Sequence, residues 1–268
     1  MDFAALGQTL ACGQCFRWRK TPDGAWEGVA GGRFLRLTEK SFPRLPEDPF
    51  WARYFDLGRD YGAIRARFCR MDPALARAVR YAPDIRILNQ DPWEALCSFI
   101  LSQCNNIRRI RGMVARLCAA YGEPARGGGH AFPAPRALAA AGEGDLRALG
   151  CGFRAPYVRE AARRVACGEL DFALLRRLPL PQARARLTAL PGVGPKVADC
   201  ALLYGLHRLD AFPADVWMKR AMRTLFPGRD PAWFGPYAGV AQQYVFHYSR
   251  NHPELFRREN AGAGARCS

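Results

Sequence analysis

Lysine is scarce in this chain: of 40 basic residues only Lys20, Lys40, Lys196 and Lys219 are lysines. Lys196 follows Leu190-Pro191-Gly192-Val193-Gly194-Pro195 and leads into Val197-Ala198, the pattern of a helix-hairpin-helix turn. Glycines in such a turn allow backbone conformations closed to other residues and a close approach to a ligand. The second helix then opens with unpaired N–H groups and the positive end of its dipole facing outward. Together these make an anion site suited to a nucleic-acid phosphate without any cationic side chain. A lysine after the turn also occurs in hairpins that only hold DNA, where it is solvated or faces phosphate. Lys196 alone therefore does not establish a nucleophile.

Asp215 changes the balance. It lies 19 residues beyond Lys196, in Phe212-Pro213-Ala214-Asp215-Val216-Trp217-Met218-Lys219-Arg220, where a new helix starts. Its plainest role is an N-cap worth about 1 kcal/mol. However, one intervening helix of about ten residues returns the chain to the same side of the hairpin, so Asp215 and Lys196 can face one cleft. An amine and a carboxylate there suit glycosidic chemistry: a neutral amine attacks a sugar C1′ and the carboxylate stabilises the positive charge growing on the sugar.

The composition points to the same partner. Forty basic against 24 acidic residues give a net charge of +16 and a pI near 9.9 over 268 residues. An excess of that size implies an acidic partner, with nucleic acid ahead of an anionic membrane or an acidic protein. No apolar run approaches the roughly 18 residues of a membrane span, and the start of the chain lacks the layout of a signal peptide. A cytoplasmic, bacterial, nucleoid-associated monomer is expected. The ten cysteines read as reduced core thiols, since several sit in apolar runs. Cys12-Gly-Gln-Cys15 has no second pair to complete a zinc site. Cys267 stands alone where an iron–sulfur cluster would need several spaced cysteines. No cofactor is expected.

The elements that must position these residues are legible in part. Trp26–Ala30, Gly31-Gly32 and Arg33–Leu37 read as a hairpin within a strand-and-turn region over 1–45. Asp91-Pro92-Trp93-Glu94 is a helix start, with Asp as N-cap, Pro at the first position and Glu at the third. Residues 107–121 form a helix with Ile107, Ile110, Val114 and Leu117 on one face. Residues 123–135 are a Gly/Pro-rich loop, and three more helices are expected before residue 190. The whole is an α+β arrangement: an antiparallel β-rich domain over 1–85, a helical body over 86–260 and a flexible tail over 261–268.

Five separated segments then resemble the 8-oxoguanine DNA glycosylase family of the helix-hairpin-helix superfamily. They are CGQCFRW (12–18), NNIRRIRGM (105–113), LGCGFRAPYV (149–158), LPGVGPKVADC (190–200) with PADV (213–216), and AQQYVF (241–246). The resemblance implies that Lys196 is the Schiff-base nucleophile, with β-elimination following, and Asp215 its acidic partner. It implies that the Gly13 carbonyl accepts N7–H of 8-oxoguanine; guanine has an acceptor at N7 and would be repelled. Cys200 and Phe246 fall where the flipped base is sandwiched, and Gln242 where its Watson–Crick edge is read. Arg109 and Arg154 fall at the orphan cytosine, Asn106 at a DNA contact and Phe153 at the wedge that kinks the duplex. Gly192, Gly194, Val197 and Trp217 fall at backbone contacts. A structural cation on the carbonyls of Thr188, Leu190 and Val193 is a candidate of the same origin. The implied partner is duplex DNA carrying 8-oxoguanine opposite cytosine.

Two positions depart from the pattern. Cys104 stands where an asparagine is expected, which predicts a weaker preference for cytosine, and Trp217 stands where some relatives have histidine. Two rivals remain at this level. A related glycosylase for alkylated purines would be expected to lack Lys196, and one for oxidised pyrimidines would carry the iron–sulfur cysteines. A hairpin module that only binds DNA explains the charge and the turn, but not Asp215, Gly13 and the base-pocket positions together.

Overall fold

The computed structural model describes residues 2–256, so the expected tail at 261–268 and Cys267 lie outside the described residues. The chain opens with helix α1 (Leu6–Leu10) and a three-stranded antiparallel sheet, β1 (Arg19–Lys20), β2 (Trp26–Ala30) and β3 (Arg33–Leu37), in the order β1-β2-β3. Ala30 pairs with Arg33 across Gly31-Gly32, whose φ values of 54° and 70° are those a two-residue hairpin turn requires. Helices α2 (Pro49–Tyr54), α3 (Tyr61–Met71), α4 (Pro73–Tyr81), α5 (Pro92–Leu101) and α6 (Ile107–Tyr121) follow. Then come α7 (Pro135–Ala140), α8 (Glu143–Ala148), α9 (Ala155–Ala166), α10 (Phe172–Arg177), α11 (Leu180–Thr188), α12 (Pro195–Cys200), α13 (Val216–Leu225) and α14 (Ala238–Asn251). Between 135 and 190 there are five helices rather than three. Three of them are only six residues long, too short to show a clear apolar period.

Asp-Pro pairs start much of this body. Asp48, Asp72 and Asp91 each accept a main-chain N–H in the first turn of α2, α4 and α5, with Pro at the position after the cap. Two apolar cores result. The smaller gathers Trp18, Trp51, Tyr54 and Phe55 under the sheet, with Trp18 Nε1 donating to Tyr54 Oη at 2.8 Å. The larger surrounds α5, nine of whose ten residues are buried. Ile64, Phe68, Leu75 and Val79 of α3 and α4 belong to this larger core, Phe68 meeting Tyr244 of α14 edge-on. The cores interleave along the sequence, Phe16 joining the larger and Leu88 the smaller. Among the described residues no helix is long and apolar enough to cross a membrane.

The cysteines described are all free. Cys12 and Cys15 are buried, and burial raises both thiol pKa values, that of Cys12 to about 11. Cys104 and Cys167 are exposed, so not every thiol is a core residue.

Candidate active site and DNA interface

The α11–α12 hairpin presents Lys196 on the first turn of α12, with Gly194 as N-cap and Pro195 at the first position. α12 runs into one π-helical turn, Ala201–Gly205, closed by Leu206 N–H donating to the Ala201 carbonyl at 3.1 Å. A return loop then brings the chain to α13. There Asp215 is the N-cap, its Oδ1 accepting Met218 N–H at 2.7 Å. Lys196 and Asp215 line one cleft of about 520 Å³. The single-helix return expected from the 19-residue spacing is thus what the chain does. Lys196 is half-buried; its Nζ donates to Ser102 Oγ at 3.3 Å and lies 5.2 Å from the centre of the Phe99 ring.

Gly13 reaches this cleft from the N-terminal unit and is held there by Gln14. The Gln14 side chain is fully buried: Nε2 donates to the Arg86 carbonyl at 2.7 Å and Oε1 accepts Leu88 N–H at 2.8 Å. The neighbouring carbonyls are occupied, Cys12 O by Gln243 Nε2 and Gln14 O by Gln90 Nε2. Between them the Gly13 carbonyl takes no donor of the described residues. Its φ of +93° is a conformation that L side chains rarely adopt. A Cβ there would lie 3.5 Å from Ile107 Cδ1 and 3.8 Å from Phe246 Cε1, so position 13 touches the floor of the cleft.

Gln242 is buried, not the surface amide that its residue type alone suggests. It is 4% exposed and its Oε1 has no hydrogen-bond partner, whereas the adjacent Gln243 is tied to Tyr204 and Cys12. A buried acceptor without a donor costs about 1–3 kcal/mol. Phe246, one turn along α14, lines the cleft half-buried. Cys200 sits beneath, 2% exposed, and burial pushes its thiol up to about 11, keeping it neutral. Gly13, Phe246, Lys196 and Asp215 are thus brought together at the wall, with Cys200 and Gln242 buried in the α12 and α14 segments that carry it.

The rim of the cleft carries exposed apolar side chains. Of five large apolar side chains exposed among the described residues, three surround this region: Phe153 at 54%, Val216 at 82% and Trp217 at 41%. Asn106 caps α6 by accepting Arg109 N–H at 3.0 Å, and the Arg109 side chain is exposed. Arg154 differs. It is 7% exposed, and its guanidinium donates inward to the carbonyls of Gln103, Cys104 and Cys151 while lying 4.2 Å from the Phe153 ring centre. Burial pulls its pKa below the usual arginine value. In this conformation it holds the loop between α5 and α6 and does not present itself to a base. Within that loop Cys104 has φ +47°, left-handed backbone that asparagine adopts several-fold more readily than most residues.

In the hairpin turn, Gly192 has φ +74°, and a Cβ on it would fall 2.3 Å from the Tyr157 ring. Its carbonyl accepts Gln103 Nε2 at 2.9 Å. Gly194 is open to solvent, whereas the Val197 side chain is buried, leaving only its main chain for contact. The Leu190 carbonyl already accepts Val193 N–H at 3.1 Å. Among the described residues no group of three or more His, Cys, Asp or Glu could hold a metal. Sequence reasoning missed Ser102 and Phe99, which touch the Lys196 amine, as well as Lys219 and Arg250, which also line the cleft. Arg250 had a signal: it is four residues beyond Phe246 and eight beyond Gln242, on the same helical face.

The hairpin and cleft define a helix-hairpin-helix protein of base excision repair: residues 97–231 match the model described as HhH-GPD superfamily base excision DNA repair protein. Residues 3–96 match that of the 8-oxoguanine DNA glycosylase N-terminal domain. The N-glycosylase/DNA lyase OGG1 of Arabidopsis thaliana is 30% identical, covering 91% of this chain and 73% of the relative. The probable N-glycosylase/DNA lyase of Methanothermobacter thermautotrophicus is 35% identical, covering 65% of this chain and 66% of the relative. The structure of Clostridium acetobutylicum 8-oxoguanine glycosylase/lyase, in complex with double-stranded DNA containing cytosine opposite 8-oxoguanine, superposes with a TM-score of 0.82. It is 33% identical and covers 92% of both chains. The chain belongs to the 8-oxoguanine DNA glycosylase family, the N-glycosylase/DNA lyases of base excision repair.

Proposed function

We propose that this chain excises 8-oxoguanine opposite cytosine from duplex DNA and then nicks the strand. Hairpin main-chain groups and the basic surface bind backbone phosphates, giving strong salt dependence. Phe153 wedges into the duplex and the damaged nucleotide swings into the cleft. The base lies between Cys200 and Phe246, its N7–H donated to the Gly13 carbonyl and its Watson–Crick edge met by Gln242. The neutral Lys196 amine attacks C1′ as the C1′–N9 bond breaks, and Asp215 stabilises the cationic sugar. The resulting Schiff base acidifies the C2′ proton and β-elimination follows. The observation that carries this reading is the pair of unoccupied acceptors, Gly13 O and Gln242 Oε1, on two segments that border the cleft lined by the Lys196 amine and the Asp215 carboxylate. Arg109 and, once released from its carbonyls, Arg154 meet the orphan cytosine; Asn106 contacts the DNA beside them, and Trp217 and Val197 meet the backbone. The protein acts as a monomer in a bacterial cytoplasm.

Borohydride added to the protein on a duplex with one 8-oxoguanine–cytosine pair tests it. A covalent adduct is expected from the natural sequence and none from Lys196→Gln. An undiminished adduct from the variant removes Lys196 from the mechanism.

A further inference from the structure

Gln242, Phe246 and Arg250 occupy positions i, i+4 and i+8 of α14 and so form one stripe, rising about 6 Å per step. The stripe is graded in depth: Gln242 is buried, Phe246 half-buried and Arg250 exposed, the last two lining the cleft. Arg250 is turned onto this stripe, its guanidinium carbon 5.4 Å from the centre of the Phe246 ring. It is also beside Gly13, whose Cβ position would be 4.0 Å from Arg250 Nη1. No carboxylate of the described residues pairs with it, so its charge is free for a ligand.

The order of atoms around a purine matches this order of residues. From the Watson–Crick edge round the N7 side of the base, the groups run O6, N7, C8 with its oxygen, then N9 and the sugar. With the Watson–Crick edge at deep Gln242 and N7–H at Gly13, the next group toward the mouth is the C8 oxygen. We infer that Arg250 is a further substrate-contacting residue, donating to the C8 oxygen of the flipped oxidised purine and stabilising the base as it leaves. This rests on the reading of the cleft given above. As the Lys196 nitrogen bonds to C1′, the electron pair of the C1′–N9 bond passes to the base and spreads over N9, C8 and the C8 oxygen. A guanidinium at that oxygen is stronger bound in the transition state than in the ground state. One proton lost from the Lys196 nitrogen ends on the departed base, so charge balances. Recognition of the lesion then has two parts, a carbonyl for N7–H and a cation for the new oxygen, both absent complements for guanine.

The test compares two reactions of one protein: single-turnover excision of 8-oxoguanine and borohydride trapping at a preformed abasic site, which has no base to contact. Arg250→Met is expected to lose about ten- to a hundredfold in excision relative to its own trapping rate, and Arg250→Lys to recover part of that. The abasic reaction also reports that the variant is folded. A parallel fall in both reactions, with a shallower salt dependence of duplex binding, makes Arg250 a phosphate contact and overturns the inference, as does an unchanged ratio. Failure of the underlying reading looks different: the natural sequence itself then gives no adduct on 8-oxoguanine.

Discussion

Asp215 carries two roles that a pair of substitutions separates. As N-cap it accepts Met218 N–H at 2.7 Å through Oδ1, while its carboxylate lines the cleft with Lys196. Asparagine keeps a cap acceptor of the same geometry and loses only the charge; alanine loses both. A lost cap costs about 1 kcal/mol, and the favourable meeting of a carboxylate with a helix N-terminus adds roughly 0.3–1 kcal/mol. For a chain of this size about 1 kcal/mol moves Tm by about 2–4 °C. Asp215→Asn should therefore melt within about 4 °C of the natural sequence, and Asp215→Ala several degrees lower. Excision depends on the other role. Removing one preorganised electrostatic partner of a developing charge typically costs about 10²–10³ in rate, so both variants should lose that much. Calorimetry paired with single-turnover excision decides the matter. If Asp215→Asn keeps nearly full activity while Asp215→Ala loses activity only in step with its stability, the carboxylate is a cap and the proposed mechanism has lost its stabiliser.

Further expectations follow from single residues. Gly13→Ala places a side chain at φ +93°, which costs about 1–3 kcal/mol; Tm should fall, and discrimination against guanine should weaken in a competition assay. Gln242→Leu removes a buried acceptor that has no donor, so melting should rise by a few degrees, for about 1 kcal/mol, while excision drops. Cys104→Asn relieves a left-handed residue at φ +47°, so it should raise Tm slightly and sharpen the preference for cytosine when the opposite base is varied. Glu94 is held up to about 7 from 4.5, first by burial, against the opposing pull of Arg17. Its raised value favours the protonated folded state, so this contribution is fully present below about pH 4.5 and lost as pH rises through 7. Over that window it amounts to about 3 kcal/mol, and urea denaturation of Glu94→Gln should lack that slope.

The sequence was most legible where local chemistry decides the backbone. Gly31-Gly32 between alternating strands, and Asp91-Pro92 before an apolar run, set a turn and a helix start regardless of distant packing. The 19-residue spacing sufficed to bring Lys196 and Asp215 together because a single helix separates them. Residues whose environment comes from elsewhere were not legible. Gln242 reads as a surface amide until α14 is packed against α4 and the Gly13 segment. Arg154 reads as one more exposed cation until the loop between α5 and α6 offers it two carbonyls. The six-residue helices before 190 are stabilised by contacts that no periodicity records.

Gln103 joins three parts of the molecule at one residue: its side chain donates to the Gly192 carbonyl and its own carbonyl receives Arg154, which stacks on Phe153. Tyr157, in edge contact with Phe153, closes the circuit by covering Gly192. The consequence concerns engineering and inheritance alike. The wedge loop, the cytosine-side loop and the hairpin cannot be exchanged with those of a relative one at a time, because each is the mould of the other two. Chimaeras that move residues 102–106, 152–157 and 190–194 as a set should fold and bind, whereas single-loop transplants should lose the register of all three.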